Sequence, residues 1–200
     1  MKKIAVFASG SGTNFQAIND AIKDGKLEAQ INLLVCDRKG AMCIKRAETE
    51  NIPAFVFTAK EYRDKASYEE VILQKLREQE IEFIVLAGYM RLIGPSLLSA
   101  FQGRIVNIHP SLLPAFQGKD AIGQALAAKA VKTGVTVHYI DEGMDTGPVI
   151  DQVEVVIDKG DTKEMLEEKI HAIEHQLYPA VLQKLFHSEA VIEGKTQQQL

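Results

Sequence analysis

The chain has 200 residues, 46% of them hydrophobic and 25% charged, which suits one ordinary core and excludes a disordered or fibrous chain. Its 23 Lys and Arg against 27 Asp and Glu leave a formal charge of −4, which argues against nucleic-acid binding through bulk electrostatics. No apolar run approaches the roughly 18 residues that span a bilayer, and the two cysteines, Cys36 and Cys43, offer neither a disulfide scaffold nor zinc spacing.

In chain order, Ile4–Ala8 is a continuous apolar run, the pattern of a strand covered on both faces, and is too short for a signal-peptide core. The turn Ser9–Thr13 leads into an amphipathic helix over Asn14–Lys23. Ile31–Cys36 repeats the strand pattern, a helix follows near Cys43–Glu50, and Ala54–Phe57 is a short strand after Pro53. Ser67–Gln79 is a strong helix with Val71, Ile72, Leu73 and Leu76 on its buried side. Phe83–Leu86 and Arg104–Ile108 are buried strands flanking a short helix at Pro95–Ala100. After Ile108 the rhythm changes: an alanine-rich helix over Asp120–Lys132, then strands at Gly134–Ile140 and Val149–Ile157, joined by the polar turn 141–148 and paired antiparallel. A last helix spans Asp161–Leu185, opened by a capping box of Asp161 with Glu164 and striped by Leu166, Ile170, Ile173 and Leu177. No repeat or linker intervenes. One domain over 1–200 is expected: a Rossmann-like three-layer α/β fold, its twisted sheet mostly parallel with an antiparallel extension at the C-terminal part. A cytoplasmic protein with no membrane or nucleic-acid partner is expected.

Gly10–Asn14 joins a strand to a helix, where backbone N–H groups and the helix dipole favour an anion. A dinucleotide site with Asp37 on a ribose fails, because the third small residue of G-x-G-x-x-G is Phe15 here. Thr13 and Asn14 suit a phosphate monoester, and a plain structural turn is the alternative.

In Asn107-Ile108-His109-Pro110, alternation sets Asn107 and His109 on one side of a strand's C-terminal end, where ligands bind in open α/β sheets. An amide beside an imidazole can stabilise an oxyanion; a structural histidine is the competing reading. Asp141, Glu142 and Asp145 crowd one turn. A carboxylate reaching His109 would orient its ring and favour its charged form, against the plain alternative of a solvated acidic loop. His171-Ala172-Ile173-Glu174-His175 matches H-x-x-E-H, a zinc pattern lacking a third ligand other than Glu189 or Glu193 near the tail. No metal is expected.

Taken together, SGSGTN, LAGYMRLIGP (86–95), NIHPSLLPAFQGKDA (107–121), TGVTVHYIDEGMDTGPVI (133–150) and IEHQLYPAV (173–181) resemble the folate-dependent formyltransferases, in order and over nearly the whole chain. Within that superfamily the likeness is to the members acting on glycinamide ribonucleotide, without the added domains of the tRNA-directed enzymes or the hydrolases. The resemblance implies formyl transfer from 10-formyltetrahydrofolate, a co-substrate, to the amine of glycinamide ribonucleotide in purine synthesis, with no metal and as monomer or homodimer. Carried over by position, Asn107, His109 and Asp145 match the catalytic residues. Gly12, Thr13 and Asn14 match the phosphate loop, and Glu174 a ribose contact. Met90, Arg91, Leu92 and Ile93, with Asn107, Asp141, Glu142, Gly143, Met144 and Asp145, match the folate pocket. Lys65 stands where some members have an arginine near the folate tail. The chain divides accordingly into a phosphate-binding half over 1–108, a folate and catalytic half over 109–188, and a frayed tail over 189–200. Other readings are a catalytically silent nucleotide-binding module or another folate-dependent formyltransferase or hydrolase.

Overall fold

A computed structural model describes residues 1–188 in full and, through 197, the backbone of the last helix. The expected frayed tail over 189–200 lies outside the residues described in full. The elements are β1 (Lys2–Ala8), α1 (Thr13–Lys23), β2 (Ala29–Cys36), α2 (Met42–Thr49), β3 (Ala54–Val56), α3 (Lys65–Glu78), β4 (Phe83–Leu86), α4 (Pro95–Ala100), β5 (Ile105–His109), α5 (Ala121–Ala127), β6 (Lys132–Tyr139), β7 (Val149–Val156) and α6 (Lys163–Gln197). Among the described residues, no helix is long and apolar enough to cross a membrane.

Among the described residues, seven strands form one sheet in the order β3-β2-β1-β4-β5-β6-β7. The pairs from β3 through β5 are parallel, while β5–β6 and β6–β7 are antiparallel. The continuous apolar runs are explained by a core on each face. From β1, Ile4, Val6 and Ala8 pack with Phe15, Ile18, Leu166, Ile170 and Tyr178 on one side. Ala5 and Phe7 pack with Ile72, Leu76 and Leu97 on the other. The chain first winds outward from β1 through β2 and β3, then restarts on the opposite side with β4. The carboxyl ends of β1 and β4 therefore border a topological switch point, the crevice where open α/β sheets bind ligands.

Three expectations are corrected. The alanine-rich helix ends at Ala127 rather than Lys132. Lys129 adopts φ 52°, Ala130 N–H donates to Ala125 O (3.0 Å) and Lys129 N–H to Leu126 O (3.0 Å), a Schellman-type stop that frees the chain for β6. Alanine propensity yields to the strand pairing that begins at Lys132. The last helix is capped by Thr162, whose Oγ1 accepts from Met165 N–H (3.3 Å); Asp161 instead binds Lys169 (2.7 Å) and Asp158 N–H (2.9 Å). Its core stripe runs Leu166, Ile170, Glu174, Tyr178, so a carboxylate occupies a core position, and Ile173 and Leu177 are only partly buried.

Candidate active site

The loop after β1 turns through Gly12, at φ 72°, into the first turn of α1. A side chain here would meet Cys43 Cβ at 2.6 Å and Cα at 2.8 Å, so only glycine lets the loop lie on α2. The first-turn N–H groups of α1 lack intrahelical partners, the usual anion site. Asn14 Nδ2 donates to Glu174 Oε2 (2.9 Å) across 160 residues. Glu174 is 5% exposed, and burial raises its carboxyl above the usual range. Tyr178, one turn on, donates its hydroxyl to Leu86 O (2.8 Å), with Val106 O at 3.2 Å, and so ties α6 to the carboxyl end of β4 and to the first half of β5.

Asn107 and His109 stand at the end of β5, and Asp145, at φ 56°, comes from the β6–β7 turn. His109 Nδ1 lies 3.5 Å from Asp145 Oδ2, and His109 Nε2 lies 2.9 Å from the Phe116 carbonyl. Asp145 is held in turn by Gly118 N–H (2.8 Å). Both imidazole nitrogens are thus engaged. Asn107 is fixed by His138, which no local spacing marks; it stands opposite in the β5–β6 register, with Nε2 3.2 Å from Asn107 Nδ2. His138 is 0% exposed, and burial lowers its pKa, so its ring is neutral. Its Nδ1–H donates to the Tyr139 carbonyl (2.9 Å), leaving Nε2 a bare acceptor for one Asn107 N–H. The second Asn107 N–H is thereby oriented. The motif HYID held the signal, since the antiparallel pairing aims His138 at the Asn107 side chain.

The 90–94 segment borders the same crevice. Met90 is 57% exposed, Leu92 50% and Met144 47%, exposures that leave apolar faces for a ring, whereas Ile93 is 8% exposed and packs into the core. Ile93, matched to the folate pocket by the resemblance, packs instead with Ile72, Leu76 and Leu97 of α3 and α4. Arg91 reaches Asp37 (2.8 Å), whose other oxygen takes the Ser9 hydroxyl (2.5 Å); Ser9 Oγ accepts from Met90 N–H (2.9 Å). Asp37 therefore clamps this segment. Lys65 Nζ donates to Leu92 O (3.1 Å), and buried Glu69 accepts from Gly94 N–H (2.6 Å), its carboxyl raised by desolvation. In the acidic turn, Asp141 Oδ1 accepts from Gly143 N–H (3.0 Å) and Thr146 Oγ1 (2.7 Å), which closes it. Asp141, Glu142 and Gly143 are exposed at its tip.

A groove of about 830 Å³ between α1 and α6 is lined by Thr13, Arg46 and His175 among others, and by none of Asn107, His109 and Asp145. Arg46 Nε donates to Ser11 O (2.8 Å), and His175 Nε2 is buried without a partner among the described residues. Arg46 and His175 are further neighbours of the loop that sequence spacing left unassigned. The rings of His171 and His175 lie parallel with centroids 6.2 Å apart. Among the described residues, no three His, Cys, Asp or Glu gather as a metal-ligand set. The side chains of Glu189 and Glu193 lie outside the described residues.

A family profile described as formyl transferase matches residues 2–182. The chain is 55% identical over 185 residues to phosphoribosylglycinamide formyltransferase of Bacillus subtilis, a span of 92% of this chain and 95% of that protein. It is 40% identical over 183 residues to the trifunctional purine biosynthetic protein adenosine-3 of Drosophila pseudoobscura pseudoobscura, covering 90% of this chain and 13% of that one. The fold is similar to the crystal structure of glycinamide ribonucleotide transformylase 1 from Geobacillus kaustophilus, with TM-score 0.91, 65% identity, and coverage of 92% of this chain and 98% of that one.

Proposed function

Because this chain belongs to the formyl transferase family, we propose that it moves the formyl group of 10-formyltetrahydrofolate to the amine of glycinamide ribonucleotide. The products are formylglycinamide ribonucleotide and tetrahydrofolate, within cytoplasmic purine synthesis. The observation that carries the reading is the meeting of Asn107, His109 and Asp145 at the switch-point crevice, with the imidazole 3.5 Å from the carboxylate. Attack by the neutral amine on the formyl carbon creates a tetrahedral oxyanion. The free Asn107 N–H donates to it, and the formyl oxygen replaces the Phe116 carbonyl as acceptor of the His109 Nε2–H. Asp145 holds the His109 ring in place and is the carboxylate within reach of the amine proton. As the bond to N10 breaks, that nitrogen takes up a proton and tetrahydrofolate leaves. Met90, Leu92 and Met144 supply apolar cover, and the backbone of the 141–145 turn supports the pterin's amide edge.

Incubating the protein with both substrates and following tetrahydrofolate and formylglycinamide ribonucleotide tests the reaction. Stoichiometric appearance of the two is expected. Formate release independent of the ribonucleotide would point to a hydrolase, and binding without turnover to a silent module.

Thr13→Ala with Asn14→Ala is expected to raise KM for glycinamide ribonucleotide by roughly tenfold or more, about 1.4 kcal/mol per tenfold, while KM for the folate stays near its starting value. Steady-state kinetics with each substrate varied checks this; equal losses for both would show that the subsites are misassigned.

Glu174→Gln is expected to stabilise the protein at neutral pH. Burial penalises the ionised carboxylate, and a Gln amide can pair reciprocally with Asn14, whose Oδ1 is buried without a partner among the described residues. A carboxyl raised above its unfolded value contributes stability that is complete below pH 4.5 and is lost as pH rises through its folded pKa. The advantage of Gln should therefore appear on the alkaline side, as a Tm gain of roughly 2–4 °C, and fade as pH falls to 4.5. KM for the ribonucleotide should rise in the same variant, because the ribose loses a carboxylate acceptor. Thermal melts across pH check the first part.

A further inference from the structure

Cys36 and Cys43 take no part in the chemistry above. Cys36 ends β2 and Cys43 lies in the first turn of α2. Both are 0% exposed, and their sulfurs are 3.6 Å apart, with the Cys43 thiol donating to Cys36 Sγ. The connecting residues Arg38, Lys39 and Gly40 are exposed, so a small oxidant needs only a local opening of a surface turn to reach the pair. A disulfide requires sulfurs about 2.05 Å apart, so closure is an approach of roughly 1.5 Å. Cys43 also supports the loop after β1. Its N–H donates to Gly10 O (3.0 Å), and its Cα and Cβ are the atoms against which Gly12 packs.

We propose that Cys36 and Cys43 are a redox modification site, closing reversibly to a disulfide under peroxide and weakening ribonucleotide binding by displacing the support of Gly10 and Gly12. The proposal rests on the reading of Gly10–Asn14 as a phosphate loop. The shared Cys43 hydrogen brings the Cys36 thiol down to about 7, and the same pairing together with burial pushes Cys43 up. Cys36 is therefore the attacking thiolate. Having given its proton up to solvent, it attacks one peroxide oxygen, the O–O bond breaks, and the departing hydroxide takes a proton back from solvent to leave sulfenic acid and water. Cys43 sulfur then attacks the sulfenyl sulfur and expels hydroxide, which leaves as a second water with the Cys43 proton. Two electrons pass from the sulfurs to the peroxide, and a dithiol reductant returns them.

The test uses the full chain treated with hydrogen peroxide, read by intact mass and by non-reducing peptide mapping. A loss of about 2 Da with a Cys36–Cys43 crosslink is expected. With it, KM for glycinamide ribonucleotide should rise by roughly tenfold, KM for 10-formyltetrahydrofolate should not move, and dithiothreitol should reverse both changes. Cys36→Ser should keep the untreated activity and lose the peroxide response in KM. Oxygen addition without the crosslink, or a crosslink that leaves the ribonucleotide KM unchanged, overturns the proposal. If Thr13→Ala with Asn14→Ala leaves the ribonucleotide KM unchanged under reducing conditions, it is the phosphate-loop reading that fails, and the mass result still reports the disulfide by itself.

Discussion

Asp145→Asn is expected to lower kcat by about 10²–10⁴-fold while shifting either KM only a few-fold, the scale typical of losing a positioned acid–base group. The carboxylate is 3.5 Å from His109 Nδ1, and the two side chains are only 13% and 7% exposed, so water screens the pair poorly. Asp145 holds His109 Nδ1, which turns the Nε2–H toward the developing oxyanion, and an amide in place of the carboxylate holds that orientation less well. Asn still accepts the Gly118 N–H that Asp145 Oδ2 now takes (2.8 Å), so the turn should keep its shape and the loss should fall on the chemical step. His109→Asn is expected to cost a similar factor. The double variant should be little worse than the worse single one, as for residues that act as a unit. Single-turnover and steady-state kinetics of the three variants decide it. Strictly additive losses would mean that the two side chains do not cooperate and that the acidic turn only binds folate.

Gly12→Ala is expected to abolish measurable saturation by the ribonucleotide and to lower stability by roughly 1–3 kcal/mol. Two effects combine. A backbone at φ 72° is strained for any residue with a Cβ, and that Cβ would sit 2.6 Å and 2.8 Å from the Cβ and backbone Cα of Cys43. Neither atom belongs to a flexible side-chain end, so the loop or the start of α2 must move, and the first-turn N–H groups move with it. A Tm lowered by roughly 2–4 °C per kcal/mol, together with folate binding by calorimetry close to that of the parent, would locate the damage. Unchanged ribonucleotide kinetics would show that the loop after β1 does not hold the phosphate.

Much of this was written in local patterns. Runs such as Ile4–Ala8 and Phe83–Leu86 demand cover on both faces, and their alternation with helices forces parallel pairing through right-handed crossovers. The alternation of Asn107 and His109, and the glycine turn before α1, set the candidate site residues at the right ends of their strands. These are short-range consequences of period and turn chemistry, and a single chain displays them directly.

Relations between distant segments were decided only by the tertiary structure. His138 became the partner of Asn107 because the antiparallel register sets them opposite each other, across 31 residues. Glu174 occupies a core position on α6 between Ile170 and Tyr178, where Asn14, 160 residues away, supplies its hydrogen bond, whereas the hydrophobic period placed the stripe on Ile173 and Leu177. Ile93 turned inward against α3 and α4, the alanine helix stopped at Ala127 where β6 begins to pair, and Thr162 rather than Asp161 became the cap because Asp161 is taken up by Lys169 and the Asp158 N–H. Sequence by itself determined which residues carry strands, turns and reactive groups, since those follow from each residue's own chemistry and its near neighbours. Which reactive groups meet, and in what protonation state, depended on burial and hydrogen bonds that exist only once the sheet has closed.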